Sequence, residues 1–317
     1  MNLEYQIIIA LLLDLMLGDP RRLPHPVKGM GRLALFLEPH ARSRISAPRA
    51  AGVLTALAVI MLSGLSAWGV IRLAGLAHPW AADAASILLL YTCLAAQDLS
   101  RHSDAVFQAL EARDLEAAKH RVSLMVGRDT QDMSQEDIVR ATVESIAENT
   151  CDGVVAPLFY AFLFGAAGAV VYKAISTLDS TFGYKNEPYR DFGWFPARLD
   201  DAANYLAARL TALLIAAAAL VLGMDARAAM RIRKRDGRRH ASPNSGLSEA
   251  AMAGALGIQL GGPVRRKGIL DPRPRMGDPV NRIAQDHILK ANNLLLAATI
   301  LAAATGFLLT KWIKECL

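Results

Sequence analysis

The sequence predicts an all-α fold: a polytopic integral membrane helical protein with large cytoplasmic helical loops. Three observations carry this. First, the runs 51–71, 153–172 and 291–310 contain no Asp, Glu, Lys or Arg, and each is close to the roughly 20 residues an α-helix needs to cross a bilayer core. Second, the polar stretch 98–152 has helical patterning and no strand-like alternation. Third, positive charge is unevenly placed, with seven Lys/Arg in 19–50 and fourteen in 225–290 but none in 76–83. The positive-inside rule puts the first two regions in the cytoplasm and the third outside. Buried helices of a soluble all-α protein are the competing reading, and three separate full-length charge-free runs argue against it.

Composition narrows the class further. With 53% hydrophobic and 20% charged residues, the chain is not intrinsically disordered. Cys93, Cys151 and Cys316 are odd in number and far apart, which excludes a disulfide scaffold. No CxxC or Cys/His cluster is present to hold a structural zinc. The net charge of +6 is accounted for by cytoplasmic loops beside anionic lipid, so the expected partner is the bilayer and not a nucleic acid.

We read residues 1–317 as one membrane-embedded domain. It opens with an interfacial helix at 3–18, whose apolar core follows Glu4 with no A-x-A site after it, so the helix is expected to be retained. That helix ends at Gly18-Asp19-Pro20. Membrane segments follow at 51–71, 81–97, 153–172, 202–224 and 291–312. Arg209 lies about two turns inside its segment, where it can snorkel or face a polar cavity. Gly165, Gly168 and Pro157 make the 153–172 segment a candidate for a broken or re-entrant helix. Because 225–290 belongs inside, 153–172 and 202–224 either both span or both do not. The polar functional regions are 98–152, 173–201 and 225–290.

In the first polar region, Ser134 followed by Asp137 forms a helix N-cap with an acid at N3. Asp137, Glu144 and Glu148 are spaced by seven and four and so share a helix face, which Asp152 continues. The stripe is either a solvated acidic face or, where it meets an apolar run at the membrane boundary, a place for Mg²⁺, which takes one or two carboxylates and completes its shell with water and phosphate oxygens. In the second region, Asp200 and Asp201 either cap the following helix or hold a cation. In the third, Ser242-Pro-Asn-Ser-Gly246 is a turn feeding a helix, and its backbone N–H groups and hydroxyls offer a cradle for phosphate.

Other motifs are absent or spurious. There is no Walker-type GxxxxGK[ST] loop. Gly29-Met-Gly-Arg-Leu-Ala34 matches a dinucleotide fingerprint only by letters, with Pro24 and Pro26 where a strand would have to be. The seven histidines show no HExxH pairing and read as surface or capping residues. Lys173 beside an apolar run reads as a snorkelling lysine, with a desolvated nucleophile as the alternative.

Taken in order, the polar blocks resemble one family. They are Leu17-Gly-Asp-Pro20 with His25-Pro26, Val126-Gly-Arg-Asp-Thr130, Glu144-Ser-Ile-Ala-Glu-Asn149 with Asp152-Gly153, and Thr177-Leu-Asp-Ser180 with Gly183-Tyr-Lys185. Arg198-Leu-Asp-Asp201, Ser242-Pro-Asn-Ser-Gly246 with Glu249, and Leu260-Gly-Gly262 complete the set. The chain resembles the adenosylcobinamide-phosphate synthases of cobalamin biosynthesis, the CobD/CbiB family of integral membrane proteins, over nearly its whole length. It departs at Arg266-Lys267-Gly268, where the family commonly carries an aromatic before the glycine.

The resemblance implies an ATP-dependent amide ligase. A propionate carboxylate of adenosylcobyric acid would be joined to (R)-1-aminopropan-2-ol or its O-phosphate, with ATP activating the carboxylate as an acyl phosphate and Mg²⁺ assisting. The corrinoid is substrate and not prosthetic group. On this reading Glu144, Glu148, Asn149 and Asp179 form the catalytic set, with Glu144 or Glu148 as the base for the amine. Arg128, Lys185, Arg198, Ser242, Asn244, Ser245 and Glu249 bind substrate and phosphate, and Asp152, Asp200 and Asp201 hold the metal. The expected location is the cell (inner) membrane, multi-pass, with the active site and 173–201 on the cytoplasmic side. Other corrinoid-pathway enzymes at the membrane are further expected partners. The alternatives are a non-catalytic membrane sensor or regulator of the same superfamily, which would lose the acidic and Ser-Pro-Asn-Ser-Gly blocks, and a transporter, which would carry polar residues inside its spans and an internal repeat.

Overall fold

A computed structural model describes residues 1–19, 25–184, 187–266 and 268–316. Lys185 of the expected phosphate-binding set lies outside the described residues, as do Pro20, Pro24 and Lys267. Among the described residues the chain is helical almost throughout. Five helical stretches are long and apolar enough to cross a membrane: Pro48–Ala77, Pro79–Glu111, Gln135–Phe182, Trp194–Val221 and Asp286–Cys316. Four of the five expected segments lie inside them, and the fifth, 202–224, runs three residues past the end of Trp194–Val221. The chain divides into two compact units, the first comprising 1–95, 156–204 and 305–317 and the second 96–155 and 205–304.

The first unit holds α1 (Leu3–Leu17), α2 (Pro26–Arg44), α3 (Pro48–Ala77), α4 (Pro79–Tyr91) and α8 (Ala156–Phe182), with the beginning of α9 (Trp194–Val221) and the end of α12 (Asp286–Cys316). Proline at the first turn starts α2, α3 and α4, a position where its missing N–H costs nothing. Two of these starts are capped by histidine. His25 Nδ1 accepts from Val27 N and His78 Nδ1 from Trp80 N, the capping role read from the sequence. His25 Nε2 also lies 2.8 Å from Asp19 Oδ1, which joins the two halves of the first sequence block.

Helix α1 ends at Gly18, as the sequence indicates. Two of its buried polar residues are partnered inside this unit by side chains far along the chain: Glu4 pairs with Lys314 at 2.7 Å, and Gln6 bonds Asp83 and Ser86. Helix α8 is broken at Gly165, whose φ of 69° and ψ of −163° belong to glycine alone. This is the interruption foreseen in the 153–172 segment. The 81–97 segment is not one helix: α4 stops at Tyr91, and α5 (Ala96–Glu111) begins after a four-residue turn.

The second unit holds α5, α6 (Leu115–Ser123), α7 (Gln135–Asn149), a π-helical turn at Thr150–Val155, the remainder of α9, α10 (Ala226–Asp236), α11 (Ser245–Leu256) and the start of α12. The capping box at Ser134 and Asp137 is formed in both directions. Two small antiparallel pairs interrupt the helices. β1 (Leu260–Gly261) pairs with β4 (Arg275–Met276), and β2 (Val264–Arg266) with β3 (Ile269–Asp271). Strands of two or three residues are too short for an alternating pattern, so the sequence gives no sign of them. Arg209 neither reaches an acid nor stands apart: it stacks 3.4 Å over the Tyr205 ring and donates to Tyr205 O.

Candidate active site

In the second unit, α7 is the element that brings the sequence blocks together. Nine of its residues from Ile138 to Ala147 are buried, so an acid within that stretch is held in protein and not in water. The shared face read from the sequence is therefore divided by environment. Asp137 is used by the capping box and by Arg140. Glu144 is buried, and Glu148, one turn later, is exposed.

Both oxygens of Glu144 are engaged. Oε2 pairs with Arg128, whose side chain is 9% exposed against 4% for the glutamate. Oε1 accepts from Gly261 N at 2.6 Å. Asp129 next to Arg128 is tied to the β2–β3 hairpin, since its N donates to Arg265 O at 2.9 Å and its Oδ2 accepts from Gly268 N at 2.7 Å. A buried carboxylate with its lone pairs committed to a guanidinium and an amide is a structural clamp. Of the two residues expected as the base, Glu144 is thus the one whose carboxylate is fully engaged.

Glu148 Oε1 accepts from Ser245 Oγ at 3.2 Å, which links the α7 block to the Ser-Pro-Asn-Ser-Gly block. Asn149 turns back along its own helix, its Nδ2 donating to Ser145 O at 2.9 Å. Asp152, half-buried, follows one turn after Glu148 in the π-helical turn. Such turns are frequent at functional sites because the extra residue re-aims the side chains around it.

The 242–246 turn is built differently from the expected cradle. Ser242 Oγ accepts from the amides of Asn244 and Ser245, at 3.2 and 3.4 Å, and His240 Nδ1 accepts from Ser242 N at 3.1 Å. Three of the amides that would have faced an anion are therefore taken by side chains of the turn itself. What the turn does present toward α7 is the Ser245 hydroxyl.

Beneath it, Glu249 on α11 is 3% exposed, with Oε1 4.0 Å from His240 Nε2. Burial raises the Glu249 pKa well above the usual carboxylate value, and repulsion from Glu144 and Glu148 adds to it, against the opposing pull of Arg273 and Arg128. Burial also lowers the His240 pKa, as does Arg273, while Glu148, the Ser242 amide and Glu144 oppose. The neutral ring carries its proton on Nε2, because Nδ1 is an acceptor. Arg266 is lowered by burial and by the nearby charge of Arg273. Acids from two helices thus meet basic side chains from the hairpin and the loop that follows it. The sequence does not single out His240 or Arg273; Gly261 stands inside the Leu260-Gly-Gly262 block, and Arg266 figures only in the departure at Arg266-Lys267-Gly268.

The first unit carries the remaining predicted residues. Asp179 sits in the last turns of α8, and a Cβ at Gly183 would stand 2.0 Å from its Oδ1, so the Thr-Leu-Asp-Ser and Gly-Tyr-Lys blocks are matched by close approach. Arg198 is exposed. Asp200 and Asp201 do not cap a helix start: α9 begins at Trp194, because Pro196 is accommodated in its first turn, and both aspartates lie more than a turn inside. Asp200 Oδ2 accepts from Asn204 Nδ2 at 3.0 Å, and Asn204 Oδ1 accepts from Tyr172 Oη at 2.8 Å. Among the described residues no group of three or more His, Cys, Asp or Glu has the geometry to hold a metal ion by itself.

The family model described as CobD/Cbib protein matches residues 7–295. A protein of Leptospira interrogans named cobalamin biosynthesis protein CobD is 44% identical over 299 residues, which is 94% of this chain and 95% of the relative. One from Geobacter metallireducens with the same name is 49% identical over 274 residues, 86% of each. Cobalamin biosynthesis protein CbiB of Salmonella arizonae is 42% identical over 309 residues, 96% of this chain and 97% of the relative. No solved structure matches.

Proposed function

The chain belongs to the CobD/CbiB family, and from that premise we propose that it acts in cobalamin biosynthesis as an adenosylcobinamide-phosphate synthase. The reaction is the ATP-dependent condensation of a propionate carboxylate of adenosylcobyric acid with (R)-1-aminopropan-2-ol or its O-phosphate. The supporting observation is that Glu148, exposed, and Glu144, buried, on α7 lie close enough to the buried Glu249 of α11 to repel it, with Arg128 from the loop before α7 paired to Glu144. A ligase of this kind has to hold anionic groups and remove a proton from an ammonium ion.

The donor set fits Mg²⁺–ATP in its chemistry. Mg²⁺ binds through one or two carboxylates and fills its shell with phosphate oxygens and water, so the absence of a larger acidic cluster among the described residues is compatible with it. Asp152, one turn beyond Glu148, is the residue we assign to it, and Arg266 and Arg273 are suited to phosphate charge. Bound ATP supplies the phosphoryl group that turns the propionate into a reactive acyl donor.

The chain's own residues account for the rest. Glu148 is exposed and receives one hydroxyl bond, so it is available to take a proton from the aminopropanol ammonium, which frees the nitrogen lone pair to attack the acyl carbon. The amide C–N bond forms as the acyl C–O bond to the activating phosphate breaks; the leaving phosphate carries off the second N–H proton, and the first stays on Glu148 Oε until it passes to solvent. Glu144 holds Arg128 and the Gly261 amide in place, a positioning role. Glu249, whose pKa is raised by burial and by the charges of Glu144 and Glu148, holds its proton more tightly than an ordinary carboxyl group beside Glu148. The catalytic role assigned to Asp179 is tested separately by Asp179→Asn.

Purified protein in detergent is incubated with adenosylcobyric acid, ATP, Mg²⁺ and either aminopropanol or its phosphate, and the condensed product is sought by mass spectrometry. ATP-dependent product supports the ligase and identifies the amine. No product with either amine, from folded protein that also fails to bind the corrinoid, favours the regulatory alternative.

A further inference from the structure

Helix α10 presents two opposite faces. Ala229, Ile232 and Asp236, at spacings of three and four, are buried, and Ile232 packs with Ala250 of α11 and Met276. On the other side Arg227, Arg231, Lys234 and Arg238 follow at spacings of four, three and four, which continues one helical stripe just past the helix end. All four are exposed. Asp236 compensates Arg235 and Arg239, and Asp278 also meets Arg235. Arg231 reaches Asp278 only at 3.5 Å, and among the described residues Arg227, Lys234 and Arg238 take part in no ion pair.

The position of this stripe along the chain gives it a partner. Helix α9 is one of the stretches able to span the membrane, and it ends at Val221. Its last residues, Leu220 and Val221, are 72% and 70% exposed, as a lipid-facing helix end is. Only four residues separate Val221 from the first residue of α10, so α10 starts within roughly 18 Å of the end of the apolar stretch. Met230 stands exposed between the basic residues, an apolar group suited to the boundary of headgroups and acyl chains.

We propose that the exposed face of α10 is a binding surface for anionic phospholipid headgroups, with Arg227, Arg231, Lys234 and Arg238 as its phosphate contacts. The four cations, largely uncompensated by acids, match a negatively charged leaflet, and the α9–α10 turn delivers them to it. This goes beyond the catalytic reading and does not depend on it.

The full-length protein in a non-ionic detergent is mixed with equal amounts of phosphatidylglycerol and phosphatidylcholine of the same acyl chains, and retained lipids are counted by native mass spectrometry. A cation near an anionic surface favours binding by about fivefold, so the wild type retains phosphatidylglycerol over phosphatidylcholine by at least about tenfold. In R227Q/R231Q/K234Q/R238Q the ratio falls to near unity, while R227K/R231K/R238K preserves it. Should the fourfold variant not fold, R227Q/K234Q gives an intermediate ratio. Equal retention of the two lipids by the wild type, or an undiminished preference in a folded glutamine variant, overturns the proposal.

Discussion

Gly261 and Glu144, 117 residues apart in the chain, meet through a hydrogen bond of 2.6 Å from the glycine amide to Oε1 of the glutamate. The other oxygen of the same carboxylate pairs with Arg128. Three sequence blocks, around Arg128, Glu144 and Gly261, are thereby held by one buried carboxylate, and this clamp fixes the hairpin region against α7.

Breaking the clamp is costly. Glu144→Gln leaves the Arg128 charge buried without its partner, a change that typically costs about 3–5 kcal/mol. Thermal melting in detergent is expected to show a large drop for Glu144→Gln and for Arg128→Met. The double variant R128M/E144M, with neither charge buried, melts above both singles.

Gly183→Ala is expected to reduce activity severely, because its Cβ would stand 2.0 Å from Asp179 Oδ1 and 2.7 Å from Asp179 O. Gly127→Ala, whose Cβ meets nothing within 4 Å, is the matched control and keeps wild-type activity. Equal effects of the two substitutions would contradict a requirement for Asp179 in its present position.

The pH dependence of stability bears on Glu249. Its folded-state pKa is raised, so the folded chain holds this proton more tightly than the unfolded one. The stabilising contribution is full below the unfolded value of about 4.5. It declines as pH rises from there through the raised folded value. Glu249→Gln removes that decline: its melting temperature between pH 5 and 8 is flatter than the wild type's and lies at or above it at the upper end.

Topology is open to direct labelling. Cys93 and Cys151 are buried and Cys316 is exposed, so a Cys316→Ser background is nearly silent to an impermeant thiol reagent. In that background Ser180→Cys is expected to remain unlabelled from outside the cell, while Leu76→Cys, in the loop assigned to the outside, reacts. Labelling of position 180 from outside would place 173–201 away from the cytoplasm.

The features legible in the sequence are those carried by local pattern. The five apolar segments, the Ser134–Asp137 capping box and the break at Gly165 all follow from composition and spacing over a few residues. What was not legible depends on contacts across long separations. The seven-and-four spacing puts Asp137, Glu144 and Glu148 on one face, but only packing makes one a cap, one a buried clamp and one an exposed carboxylate. The turn at 242–246 was correctly read as a turn feeding a helix, yet its amides are occupied by Ser242 and His240. The start of α9 at Trp194 lies ahead of the apolar segment 202–224 and of the Asp200–Asp201 pair that reads as a possible cap, and Pro196 is tolerated in its first turn.

The most direct test of the catalytic reading is the condensation rate of Glu148→Gln. Glu148 is exposed and accepts a hydrogen bond from the Ser245 hydroxyl at the surface, so its loss should leave melting unchanged. Removal of a general base costs about 100-fold or more. A folded Glu148→Gln protein that forms amide product at least about 100-fold more slowly than wild type is the predicted result. Near-normal turnover would contradict the assignment of the base and of this site.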